Sequence, residues 1–191
     1  MHKFIFIGSE STGKTTMCKL MSERYKIPWL EEACRILAEK AGTISAVGEG
    51  FGFTRESFVE MANIHNENER QQRQQRQQRQ QSAVICDNDS FAVEIWCKRY
   101  LGYMDDDVRK LYDEIVETDE QQSNKRIYFL FKPNVPFVQD GYRDGEHIRE
   151  QMYQDFISEL SARKISYYIV GSPSFSEREN YVSRIIDSYL Y

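Results

Sequence analysis

The stretch Gly8-Ser9-Glu10-Ser11-Thr12-Gly13-Lys14-Thr15-Thr16 follows directly on the apolar run Lys3-Phe4-Ile5-Phe6-Ile7, and its reading decides the fold. It contains the complete phosphate-loop pattern, in which a glycine, four residues and Gly-Lys-Thr stand in fixed spacing. The run before it reads as a short buried strand, and Thr15 to Tyr25 reads as a helix. The motif therefore lies in the strand–loop–helix context that its chemistry needs. Gly8 and Gly13 let the backbone curl so that successive N–H groups, including those at Ser11 and Thr12, face inward. The N-terminus of the helix, at Thr16 and its neighbours, adds partial positive charge at the same point. Lys14 is set to reach the β- and γ-phosphates of a nucleoside triphosphate, and the Thr15 hydroxyl to ligate Mg²⁺. A glycine-rich turn that binds nothing would not need all four fixed positions. ATP with Mg²⁺ is the expected cofactor pair.

Composition frames that site. A chain of 191 residues suits one domain (1–191), 40% hydrophobic and 29% charged. Its net charge of −5 argues against nucleic acid as a bulk partner. No apolar stretch is long enough to span a bilayer, and the chain enters its first strand without room for a signal peptide. Cys18, Cys34, Cys86 and Cys97 form no Cys-x-x-Cys pair and read as reduced thiols. The expected location is the cytoplasm.

Short apolar runs then alternate with helical patterns, the signature of a parallel sheet. Strands are expected at residues 26–30, 83–86, 126–131 and 166–170. Helices are expected at 31–41, 55–81, 91–101, 106–116, 146–163 and 176–189, with a loop at 42–52 and a polar turn at 117–124. The fold class is α/β: one kinase-like phosphate-loop domain whose five-stranded parallel sheet carries helices on both faces. Within it, the Arg/Gln-rich helical segment 68–81 carries Arg-Gln-Gln four times over at 70–81, with Arg70, Arg73, Arg76 and Arg79 rotating round a helix axis. A solvated helix extension is the expected reading, and a basic arm for an anionic partner is the alternative.

Further polar groups carry chemistry. Asp87-Asn88-Asp89 ends a buried strand at the edge where ligands lie in open α/β sheets. Asp87 is the metal-side carboxylate, and Asp89 either accepts the proton of an acceptor hydroxyl or caps the next helix. Glu32 and Arg35, three apart on a helix, either point together into the crevice or form a surface ion pair. Residues 133–150 leave a strand through two prolines and read as a lid-like loop whose Arg143, with Arg149 beyond it, is placed to close over the transferring phosphoryl group. Gly171-Ser172-Pro173-Ser174 either edges the adenine or is an ordinary turn capped by Ser174.

Taken in order, these groups resemble the ribosylnicotinamide kinase domain of NadR proteins, within an AAA-like phosphate-loop family. The matching elements are Gly-Ser-Glu-Ser-Thr-Gly-Lys-Thr at 8–15, Glu32-x-x-Arg35, Ile85-Cys86-Asp87-Asn88-Asp89, Val135-Pro136-x-Val138-x-Asp140-Gly141-x-Arg143 and Ser172-Pro173-Ser174. The resemblance implies transfer of the ATP γ-phosphate to the 5′-hydroxyl of nicotinamide riboside. It moves Glu32 and Arg35 towards the acceptor pocket, Asp87 and Asp89 towards metal and ribose, and Arg143 to the lid. Lys14, Asp89, Glu32 and Arg143 become the catalytic candidates. The family often shows tryptophan immediately before its Glu-x-x-Arg, whereas here Trp29 stands three positions earlier, with Glu31 adjacent. Trp29, Tyr142 or Trp96 is then the residue stacking on the acceptor base. The rivals are another small-molecule kinase, acting on a deoxynucleoside or nucleoside monophosphate, and a nucleotide-dependent switch.

Overall fold

A computed structural model of the chain describes residues 1–40, 53–79, 82–138 and 145–191; the side chains of 38–40, 76–79 and 145 are outside that description. The expected loop at 42–52 and the lid residues Tyr142 and Arg143 lie outside it. Along the chain run β1 (His2–Ile7), α1 (Lys14–Tyr25), β2 (Trp29–Leu30), α2 (Ala33–Lys40), α3 (Arg55–Arg79), β3 (Ala83–Asp87), α4 (Ser90–Leu101), α5 (Asp106–Gln121), β4 (Lys125–Phe131), α6 (Arg149–Ala162), β5 (Tyr167–Val170) and α7 (Phe175–Leu190), with a short 3-10 segment at Gly145–Ile148.

The five strands form one parallel sheet in the order β2-β3-β1-β4-β5. Alternation along β1 explains why both faces are covered. Phe4 and Phe6 pack with Met17, Phe129 and Val182 under α1 and α7, while Ile5 and Ile7 pack with Phe91, Met152 and Phe156 under α4 and α6. Each such side chain contributes about 1.5–3 kcal/mol by leaving water. A third cluster, Ala33, Phe58, Met61, Val93, Cys97 and Val108, joins α2, α3, α4 and α5 beyond the sheet.

Three boundaries differ from the sequence reading. The second strand holds only Trp29 and Leu30, because Pro28 has no N–H to give a ladder. The expected turn at 117–124 is helical to Gln121, since Asp119 is buried and Thr118 bonds back to Glu114 O (2.7 Å). The segment from 146 begins as a 3-10 turn and becomes α-helical only at Arg149.

The expectation of a solvated Arg-Gln-Gln helix also needs correction at one position. Arg73 turns inward and pairs with Asp119 at 3.4 Å, although Arg70 remains exposed. It joins a charged network beneath the sheet. There Lys3 of β1 and Arg126 of β4 meet Glu69 of α3 and Asp119 of α5, with Lys3 to Asp119 at 2.7 Å and Arg126 to Asp119 at 2.7 Å. Burial pushes the Glu69 carboxyl up, but Arg126 and Lys3 outweigh it and hold it down at about 2. Removing one partner of such a network strands a buried charge, so it fixes α3 against the sheet.

Candidate active site

The site begins at the C-terminal ends of β1 and β3, where parallel register brings two chain segments together. Phe6 pairs with Asp87, and Asn88 N–H donates to Phe6 O at 3.0 Å. Two residues beyond Phe6 the chain must turn hard. Gly8 has φ +140°, and a Cβ there would come within 2.8 Å of Phe131 O, so only glycine fits. Gly13, at φ +87°, opens α1. Lys14 Nζ reaches back to donate to Gly8 O (3.0 Å) and Ser9 O (2.8 Å), and within the loop Thr12 Oγ1 donates to Ser9 O (2.9 Å). The lysine is thus folded over the loop, in bonds that phosphate oxygens can replace.

Thr15 Oγ1 donates to Asp87 Oδ2 at 2.5 Å, with Asp87 fully buried. Two hard oxygen donors converge there, the donor type that suits Mg²⁺ with the remaining positions left to phosphate and water. Thr16, one residue on, is exposed in the first turn of α1.

Glu32 enters from the end of β2. Its Oε1 accepts from Asn88 Nδ2 at 2.6 Å, and Asn88 holds a left-handed backbone at φ +65°, a conformation asparagine tolerates better than most residues. His65 of α3 meets the same turn: its Nε2 accepts from Ala33 N–H at 3.4 Å, one of the donors that a helix start leaves without an internal partner. Burial pushes the His65 pKa down, which keeps the ring a neutral acceptor, against an upward pull from Asp89, Glu32 and Glu69. Arg35 lies on the cleft side of α2, 4.0 Å from Glu31.

These residues share one cleft. Glu10, Lys14, Glu32, Arg35 and Asn88 line its polar side, and Phe58, Met61, Trp96 and Tyr100 its apolar side, around about 790 Å³ free of protein atoms and partly open to solvent. Trp96 and Tyr100 stack at 5.9 Å between ring centroids, inclined by 17°.

Asp89 requires a correction. Its Oδ1 caps α4 by accepting from Ala92 N–H at 3.2 Å, and its Oδ2 accepts from Arg126 and from the Tyr128 hydroxyl, each at 2.8 Å. A fully buried carboxylate held by a guanidinium, a phenol and a backbone amide is not available to take an acceptor proton or to bind ribose. Trp29 requires another. It packs on the α1 side of the sheet with Lys19 Nζ 5.5 Å from its ring, away from the cleft that Trp96 lines.

The turn after β5 has the capping arrangement. Ser174 accepts from Glu177 N–H, and Ser172 Oγ bonds Glu177 Oε2 at 2.5 Å. Ser172 and Arg178 also line a surface groove with Gly171 and Tyr181. Sequence reading missed the roles of His65, Phe58, Met61, Tyr100 and Arg178. Phe58, Met61 and His65 recur at one face of a helix, and that spacing was the available signal.

The chain is similar to solved structures of the phosphate-loop kinase fold. A NadR protein in complex with NR superposes with a TM-score of 0.73 at 17% identity, covering 98% of this chain and 49% of that one. A NadR protein with NAD and AMP-PNP gives 0.67 at 16% identity, covering 97% and 49%. Thymidylate kinase from Candida albicans gives 0.62 at 14% identity, covering 98% and 91%. The chain thus spans about half the length of the NadR chains. At these identities the likeness establishes the fold. Among the described residues, no helix is long and apolar enough to cross a membrane. No curated protein matches the sequence. The family of AAA domains designated AAA_28 matches residues 3–178, from the first strand to the arginine behind the phosphate loop, and the chain belongs to that family.

Proposed function

We propose that this chain transfers the γ-phosphoryl group of ATP to the 5′-hydroxyl of nicotinamide riboside, giving nicotinamide mononucleotide. The observation that carries the reading is one cleft lined by both Lys14 and Glu32, with an aromatic wall at Trp96 and Tyr100. A phosphate-handling lysine and a carboxylate facing the same space are what a kinase with a small acceptor needs. Nicotinamide riboside carries a permanent positive charge on its ring. An aromatic wall with Glu10 and Glu32 nearby suits such a ring through cation–π and charge attraction. Arg35 then serves the ribose side.

In this reading Lys14 leaves its loop carbonyls for the β- and γ-phosphates. Thr15 and Asp87 would hold Mg²⁺, whose charge neutralises those phosphate oxygens. Glu32, steadied through Oε1 by Asn88, receives the hydroxyl proton as the new O–P bond forms and ADP departs with the bridging oxygen. Ser172 and Pro173 border the adenine side. Arg143 is the lid arginine of this reading, and Tyr142 the alternative to Trp96 for stacking on the acceptor base. Reduced thiols and use of MgATP fit a cytoplasmic place in NAD salvage.

The test is incubation of the purified chain with MgATP and, separately, nicotinamide riboside, thymidine, deoxyadenosine and thymidine monophosphate, with products read by mass spectrometry. Nicotinamide mononucleotide formed from its riboside alone supports the proposal. Phosphorylation of thymidine or deoxyadenosine instead replaces the acceptor. ADP without any phosphorylated product points to a nucleotide switch.

A further inference from the structure

Among the described residues, Arg178 of α7 is the largest fully buried side chain, 2% exposed, and it is a cation. Among the described residues it makes no ion pair with a carboxylate. Its guanidinium is spent on neutral acceptors from three loops: Ser172 O through Nε, Thr12 O (2.8 Å) through Nη1, and Lys132 O (2.8 Å) and Asn134 Oδ1 (2.5 Å) through Nη2. Arg149, at the start of α6, does the same one residue earlier in the phosphate loop, donating through Nη2 to Ser11 O (3.2 Å) and Val135 O (3.0 Å). It is 7% exposed, and its Nε is buried without a partner.

A trans peptide points its C=O and the following N–H in opposite directions. Pulling the Ser11 and Thr12 carbonyls outward therefore turns the N–H groups of Thr12 and Gly13 inward, toward the phosphate position. Burying a guanidinium without a counter-ion is costly, and an anion in the loop would relieve that cost. Burial and the like charge of Arg149 both push the Arg178 pKa down, the direction expected of a cation awaiting an anion.

We propose that Arg178 is a positioning residue of the nucleotide site: from behind the loop it fixes the Thr12–Gly13 peptide and, with Arg149, supplies the buried positive charge that the triphosphate neutralises. This rests on the triphosphate-binding reading but is independent of the acceptor. It also ties the phosphate loop to the turns after β4 and β5, so that the donor site is set before ligand arrives.

The test compares MgATP and AMP binding by calorimetry for the parent, Arg178→Met and Arg178→Lys, with folding followed by circular dichroism. MgATP affinity should fall about 10- to 100-fold in Arg178→Met, AMP affinity by less than about threefold, and Arg178→Lys should recover part of the MgATP loss. Should Arg178→Met not fold, the Lys variant carries the test: folded and weakened selectively for MgATP, it supports the proposal. A folded variant that binds MgATP like the parent, or loses MgATP and AMP equally, overturns it. If the parent itself fails to bind MgATP, the triphosphate reading fails instead.

Discussion

The two halves of the cleft are built on different principles. The donor half is backbone: a glycine that only glycine can replace, a helix start, and carbonyls held from behind by Arg149 and Arg178. The proposed acceptor half is side chains drawn from the turns after β2 and β3 and from α2, α3 and α4, held by contacts such as Asn88 to Glu32 and His65 to Ala33. Backbone geometry demands fixed residues at fixed spacing. A side-chain pocket can be assembled from many sequences, so this half is where acceptor choice can vary among proteins of one fold.

The sharpest break of this comparison is at its donor centre. Lys14→Ala should lower turnover by at least about 10³-fold while the protein stays folded, because the lysine acts on charge that develops during transfer. Turnover near the parent's would remove the loop from the mechanism. On the acceptor side, Glu32→Gln should lower kcat by about 10²- to 10⁴-fold with the KM for MgATP unchanged. A rise in that KM with kcat retained would assign Glu32 to the donor half. Asn88→Gly, which keeps the left-handed backbone and removes the amide, should cost about tenfold in kcat. Combined with Glu32→Gln it should add little more, since it acts through that carboxylate; additive losses would separate the two residues.

Stability gives a second contrast. Glu69→Gln should destabilise the fold by about 3–5 kcal/mol in urea unfolding, because Lys3 and Arg126 lose a buried partner. A change below about 1 kcal/mol would show that Asp119 alone satisfies them. The pH profile is a finer probe. The folded state holds His65 below its ordinary value of 6.5, so below that pH the unfolded chain binds a proton that the folded chain refuses. Stability should therefore fall as pH drops below about 6.5, and this part of the loss should be absent in His65→Gln. The Glu69 contribution is complete above its ordinary value of 4.5 and is lost as pH falls towards about 2. The two losses therefore begin at different pH values, the His65 one below about 6.5 and the Glu69 one below about 4.5.

The same contrast explains what the sequence disclosed. Gly8 to Thr15, the sheet strands and the proximity of Asp87 follow from contiguous patterns, since strand period and loop spacing are local properties. Asp89 was legible as an acid but not as an occupied one. Its partners Arg126 and Tyr128 stand 37 and 39 residues away on β4, and only parallel pairing brings them beneath it. Lys3 sits in an apolar run and gives no sign of the two carboxylates that hold it. Trp29 follows the opposite alternation from the one that would face the cleft, and a two-residue strand is too short to reveal its own phase.

In the proposed reaction, donor and acceptor halves act on one substrate pair across this cleft. The most direct measurement is ³¹P NMR of MgATP with nicotinamide riboside, for the parent and for Glu32→Gln under identical conditions. A 5′-phosphomonoester resonance should grow in step with ADP for the parent, and at least about 10²-fold more slowly for the variant. ADP appearing without the monoester, or equal rates for both proteins, would contradict it.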